Sequence, residues 1–101
     1  MGSKLPAEDM DAFYGALLCL DNVTAAKKFM RDLCTPAELE AMAERWRVCR
    51  LLRDGKLSYR EISTATGVST ATICRVARCL NAKTGGGYRA VLKKFNGRQM
   101  K

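Results

Sequence analysis

The chain is predicted to be all-α, with five to six helices. Three observations lead there. β-branched runs are few. Helix punctuation recurs instead: proline at first-turn positions, hydroxyl or amide side chains ahead of apolar runs, and glycine after them. The apolar residues also fall at the three- and four-residue spacing of helices that bury one face. With 101 residues, 48% of them hydrophobic, the sequence is sized for one globular domain over residues 1–101.

From about Ala7 to Leu20, Met10, Phe13, Tyr14, Leu17, Leu18 and Leu20 form a broad apolar stripe that follows Pro6. Asp21-Asn22 breaks the chain and offers a side-chain oxygen to cap the next helix. That helix spans about Val23 to Leu33, with Val23, Ala26, Phe29, Met30 and Leu33 at helical spacing. Thr35-Pro36-Ala37-Glu38 reads as a capping box that opens a long helix to about Arg53. Its apolar positions include Leu39, Met42, Trp46, Cys49 and Leu52, and Gly55 is its stop. Ser58-Tyr59-Arg60-Glu61 is a second capping box, opening a short helix to about Ala65. Ser69 caps another that runs to about Leu80. After Thr84-Gly85-Gly86-Gly87, a linker-like joint, a last helix is expected from about Tyr88 to Phe95. Residues beyond Asn96, and Met1 to Lys4, are expected to fray.

Composition narrows the function. The formal charge of +8 is unevenly placed. Residues 1–44 hold four bases and eight acids, a net −4. Residues 45–101 hold fourteen bases and two acids, Asp54 and Glu61, a net +12. A basic half carried on an acidic half suits a nucleic-acid module joined to an assembly region. The five cysteines form no C-x-x-C pair and there is no histidine, so a disulfide framework, a zinc finger and a metal site all fit poorly. Without histidine the usual general base is also missing, and nothing assembles a catalytic site. No apolar run approaches the roughly 18 residues of a membrane span and no signal segment opens the chain. A cytoplasmic protein with no cofactor is expected.

Residues 58–80 carry the functional argument. Two short helices crossing steeply need a tight turn, and Gly67 supplies it. Ile62 before the turn, and Val68, Ile73 and Val76 after it, fill the wedge, while Ser63 is small where the helices approach. Between these anchors stand Ser69, Thr70, Thr72, Arg75 and Arg78, polar groups able to reach base edges or phosphates. No acid follows Glu61, as a surface facing phosphate requires. Residues 58–80 are therefore expected to be a helix-turn-helix.

Thr35-Pro36-x-Glu38, Arg45-x-Arg47-Val48, Leu51-Leu52-Arg53-x-Gly55-x-Leu57-Ser58-x-Arg60-Glu61 and Ala71-Thr72-Ile73-x-Arg75 together resemble the Trp repressor family. Gly67 to Ile73 and Gly86-Gly87-Tyr88-Arg89 are similar to its YerC/YecD branch. The resemblance covers about residues 8–95. It implies an intertwined homodimer in which residues 7–57 supply the dimerisation and core helices, and residues 81–95 close the dimer core. Wide apolar stripes in so short a chain agree with such pairing. Two reading helices would then enter successive major grooves ~34 Å apart on a pseudo-palindromic operator. Ser69, Thr70, Thr72 and Arg75 are expected nearest the bases, with Tyr59, Arg60 and Arg78 on phosphates.

The resemblance also implies a possible effector pocket at Thr35, Arg45, Arg75, Val76 and Cys79, where two arginines would clamp L-tryptophan. Val76 stands in place of the family's glycine and Cys79 in place of its serine. A branched side chain where a flat ring must approach argues for an occluded pocket. The expected function is a homodimeric regulator of transcription that binds double-stranded DNA and represses without tryptophan control. A tryptophan-gated repressor, and a non-catalytic helical adaptor or RNA-binding module, are the alternatives.

Overall fold

The computed structural model describes residues 4–98, with side chains as far as Phe95. Six helices account for its regular structure: α1 (Ala7–Leu17), α2 (Val23–Leu33), α3 (Pro36–Asp54), α4 (Tyr59–Thr66), α5 (Thr70–Asn81) and α6 (Gly87–Arg98). Among the described residues there is no strand, so the all-α expectation holds. The chain divides into two compact units, one ending at Leu39 and the other beginning at Glu40. No helix is long and apolar enough to cross a membrane among the described residues.

In the first unit, the Pro6 carbonyl accepts the Asp9 and Met10 amides at 3.0 and 3.2 Å and starts α1. That helix stops at Leu17, short of the expected Leu20. The amides of Cys19 and Leu20 bond three residues back, to Ala16 and Leu17, so the last turn tightens and does not propagate. The chain must then open out, because Asn22 adopts extended backbone (φ −156°, ψ 167°) to cap α2. Its Oδ1 accepts the Ala25 amide at 2.8 Å. The Thr35–Glu38 box forms in both directions: Thr35 Oγ1 accepts the Glu38 amide at 3.2 Å, and Glu38 Oε1 accepts the Thr35 amide at 2.9 Å. Neither α1 nor α2 contains a buried residue. Leu5, Tyr14, Val23 and Leu33 are exposed, and Leu18 is 87% exposed.

The second unit has the core. Val48 and Cys49 of α3, Ile62 of α4, Val68 of the turn, Ile73, Val76 and Leu80 of α5, and Leu92 of α6 are buried together. Trp46, Leu51, Leu52 and Tyr88 pack against them. α5 is the central element, packing against both α4 and α6. α6 extends past the expected 88–95 to Arg98, so the backbone of residues 97–98 is helical where fraying was expected. Phe95 anchors that end: its ring meets Trp46 edge-on at 5.5 Å, and the Arg50 guanidinium lies 5.4 Å from its centroid. The fraying expected at residues 1–3 and 99–101 lies outside the described residues.

Candidate nucleic-acid interface

The helix-turn-helix is assembled from local bonds that residues 58–72 make with one another. At the start of α4, Ser58 Oγ accepts the Glu61 amide at 3.1 Å, and Glu61 Oε1 accepts the Ser58 amide at 2.8 Å. The last acid of the chain is thereby spent on a cap. α4 ends at Gly67, whose left-handed backbone (φ 78°, ψ 1°) turns the chain sharply into α5. Three side-chain bonds then pin the turn. Ser63 Oγ donates to the Val68 carbonyl at 2.7 Å, Thr66 Oγ1 donates to the Ile62 carbonyl at 2.7 Å, and the Val68 amide donates to Thr66 Oγ1 at 3.1 Å. The wedge residues Ile62, Val68, Ile73 and Val76 are all buried beneath it, where the sequence pattern placed them.

α5 starts at Ser69, whose Oγ accepts the Thr72 amide at 3.2 Å and lies 3.1 Å from the Thr72 hydroxyl. Its buried face is Ile73, Val76, Ala77 and Leu80. The opposite face presents Thr70, Ala71, Cys74, Arg75 and Arg78 to solvent, with Thr72 half-buried at its border. Ser69, Tyr59 and Arg60 are exposed as well. The second unit thus brings all seven candidate contact residues onto α4 and α5. None of Arg60, Arg75 and Arg78 is ion-paired among the described residues, where the recorded salt bridge is Arg53–Asp54 at 3.2 Å. Helix N-terminus, unpaired arginines and hydroxyls together form a surface suited to a polyanion.

Sequence reasoning did not single out the Thr66 staple, whose only signal is a threonine directly ahead of the turn glycine. Nor did it count Ala71, which shares the outward face with Arg75 and Arg78, among the contact residues.

Four of the five candidate pocket residues lie in the second unit, where Arg45, Arg75 and Cys79 all act on Tyr88. Thr35 belongs to the first unit, and its hydroxyl is engaged in the α3 cap. Val76 is fully buried in the wedge, Arg45 is half-buried, and Arg75 and Cys79 are exposed. Tyr88 lies in the electrostatic field of both arginines. Burial raises its phenol pKa above the ordinary value, the Cys49 and Cys79 thiols raise it further, and Arg45 and Arg75 pull it back. Burial likewise raises the Cys49 thiol, against a smaller opposing pull from Arg53. An open groove of about 580 Å³ is lined by Trp46, Cys79, Tyr88, Val91 and the backbone of residues 84–87, and of the five candidates it includes Cys79 alone.

Comparison with known proteins agrees with this architecture. The family model described as Trp repressor protein matches residues 8–96. A Bacillus subtilis (strain 168) relative named Uncharacterized protein YerC is 44% identical over 78 residues, covering 77% of this chain and 74% of its own. The Trp operon repressor homolog of Aliivibrio salmonicida (strain LFI1238) is 44% identical over 52 residues, 52% of this chain and 48% of that protein. The crystal structure of a TrpR-like protein from Eubacterium eligens ATCC 27750 superposes with a TM-score of 0.82 at 34% identity, covering 99% of this chain and 100% of that one. With the helix-turn-helix in place and the match spanning both units, the chain belongs to the Trp repressor family.

Proposed function

We propose that the protein is a non-enzymatic, cytoplasmic transcriptional regulator that binds duplex DNA as a homodimer and represses by occluding a promoter. The observation that carries this is the outward face of α5: Thr70, Arg75 and Arg78 are exposed, beyond a hydroxyl-capped N-terminus, on a stretch with no acid after Glu61. Phosphate neutralisation by Arg60 and Arg78, with Tyr59 beside them, sets the docking register. Ser69, Thr70, Thr72 and Arg75 lie nearest the bases. Serine and threonine discriminate weakly between bases, so water bridges and DNA shape carry part of the specificity.

In this reading the chain works as one domain. Residues 7–57 build the dimer and its core, residues 58–80 read DNA, and α6 closes the dimer core. The exposed apolar side chains of α1 and α2 support pairing, since a short chain leaves such stripes bare only when a second copy covers them.

Regulation proceeds without L-tryptophan and without any other cofactor. The complete burial of Val76 supports this, because a flat ring has no room to approach a branched side chain locked in the wedge.

The test is an unbiased selection from random DNA duplexes, run with and without L-tryptophan, paired with calorimetric titration of the amino acid. The expected result is a pseudo-palindromic site enriched equally in both arms, and no heat of tryptophan binding. Enrichment only in the tryptophan arm would make the protein a corepressor-gated switch. No duplex preference, together with binding to single-stranded or structured RNA, would replace the DNA reading altogether.

A further inference from the structure

The C-terminal end of α5 carries a problem that its N-terminal end does not. A helix leaves its last carbonyls without intrahelical donors and gathers partial negative charge there. α5 has no left-handed glycine to turn amides back onto them. Its C-cap, Ala82, is extended (φ −65°, ψ 145°), and the Ala82 amide reaches the Cys79 carbonyl only at 3.4 Å.

The partner comes from the next helix. Arg89, in the first turn of α6, places Nη1 between two of these oxygens and donates to the Leu80 carbonyl at 2.7 Å and to the Ala82 carbonyl at 2.6 Å. Both are short, charge-assisted bonds to the negative end of the helix. The loop is shaped around this guanidinium. Gly86 has a left-handed φ of 80°, and a Cβ built on it would lie 2.9 Å from Arg89 Nη2. The left-handed turn favours glycine, and a side chain there would push the end of the guanidinium aside. α6 is itself fixed to the core through Leu92 and Tyr88. One end of α5 is therefore held by the Ser63 and Thr66 bonds of the turn, and the other by Arg89.

We propose that Arg89 is a positioning residue: it clamps α5 to α6 and holds the helix in its DNA-reading pose without an effector. The proposal rests on the DNA-binding function advanced above. A reading helix must be held at a fixed tilt for its side chains to meet the bases. A clamp at the far end of that helix does so, since a small rotation there is magnified at Ser69 and Thr70, about 15 Å away along ten residues of helix.

The experiment uses Arg89→Met, which keeps the stem and loses the donors, and Arg89→Lys, which keeps a charged nitrogen donor. Lys93→Met is the control for loss of one nearby charge. Two readouts are taken on the full-length protein. The first is amide hydrogen exchange of the last turn of α5 in the absence of DNA. The second is affinity for the selected operator beside affinity for a random duplex.

Arg89→Met is expected to speed exchange at Leu80 and Asn81 and to lose about tenfold in operator affinity, the worth of one charge-assisted hydrogen bond. Random-duplex affinity should fall no more than in Lys93→Met, and Arg89→Lys should recover both readouts. Unchanged exchange in Arg89→Met would overturn the clamp, whatever the DNA result. Faster exchange with operator binding equal to that of Lys93→Met would overturn its part in positioning. Absence of any enriched operator for the unaltered protein would instead remove the DNA function on which the proposal stands, and the exchange data would then describe a stability brace only.

Discussion

Arg60 occupies the second position of α4, exposed and without an acidic partner among the described residues. Nothing among the described residues rewards it there. A cation in the first turn of a helix opposes the positive end of the macrodipole, and Glu61 alongside is committed to the Ser58 amide. A residue that does nothing for its own helix is best explained by what it meets outside. Arg60→Ala should leave stability within about 0.5 kcal/mol, as surface changes do, while weakening binding to all duplexes. It should also reduce the slope of log affinity against log salt by about one, the signature of a lost phosphate contact. Urea unfolding and binding isotherms at several salt concentrations check both. A salt slope equal to the unaltered protein's would remove Arg60 from the interface. Residues of this kind are legible in sequence because charge and position along one helix suffice. Arg89 was not, because its partners lie seven and nine residues back across a glycine loop whose path no periodicity describes.

At the scale of the element, the helix-turn-helix is the part of the fold most completely written into local sequence. Both capping hydroxyls, the turn glycine and the four wedge residues stand where spacing placed them, because the cap and turn bonds span five residues or fewer and the wedge lies within one fifteen-residue stretch, Ile62 to Val76. Helix ends without such markers were less legible. α1 lacks a terminal glycine and stops early, and α6 is carried past its expected end by Phe95 meeting Trp46, nearly fifty residues earlier in the chain. Gly67 offers a clean test of the turn. A Cβ there would meet nothing within 4 Å, so substitution costs conformational energy and no steric repulsion. Gly67→Ala should destabilise by about 1–2 kcal/mol, and Gly67→Asn by less, since asparagine tolerates left-handed backbone. Equal losses in the two variants, measured by urea unfolding with an unchanged m-value, would mean that something other than φ sets the cost.

At the scale of the molecule, the two units differ in what they bury. The second has a closed core of its own, whereas α1 and α2 contain no buried residue and hold Leu18 almost fully in solvent. Single-chain periodicity marked those stripes as apolar but could not say what covers them, because a partner surface leaves no spacing of its own. The dimer proposal makes Leu18 informative. In a chain that acts alone, Leu18→Glu removes no contact and should be silent in stability and in sedimentation. In a dimer that covers α1, it places a charge in an apolar seam and should raise the dimer dissociation constant at least about tenfold, the equivalent of roughly 1.4 kcal/mol. Melting temperature should then be lower than in the unaltered chain at equal protein concentration. Sedimentation at tenfold-spaced concentrations separates the cases, and an unaltered protein that sediments as a monomer throughout would end the dimer reading. DNA affinity should follow assembly, because two linked chains of +8 each hold both reading helices on one duplex, whereas a lone chain has only its own phosphate contacts. Leu18→Glu should therefore weaken operator binding more at low protein concentration than at high, a dependence that damage to the reading helix itself would not produce.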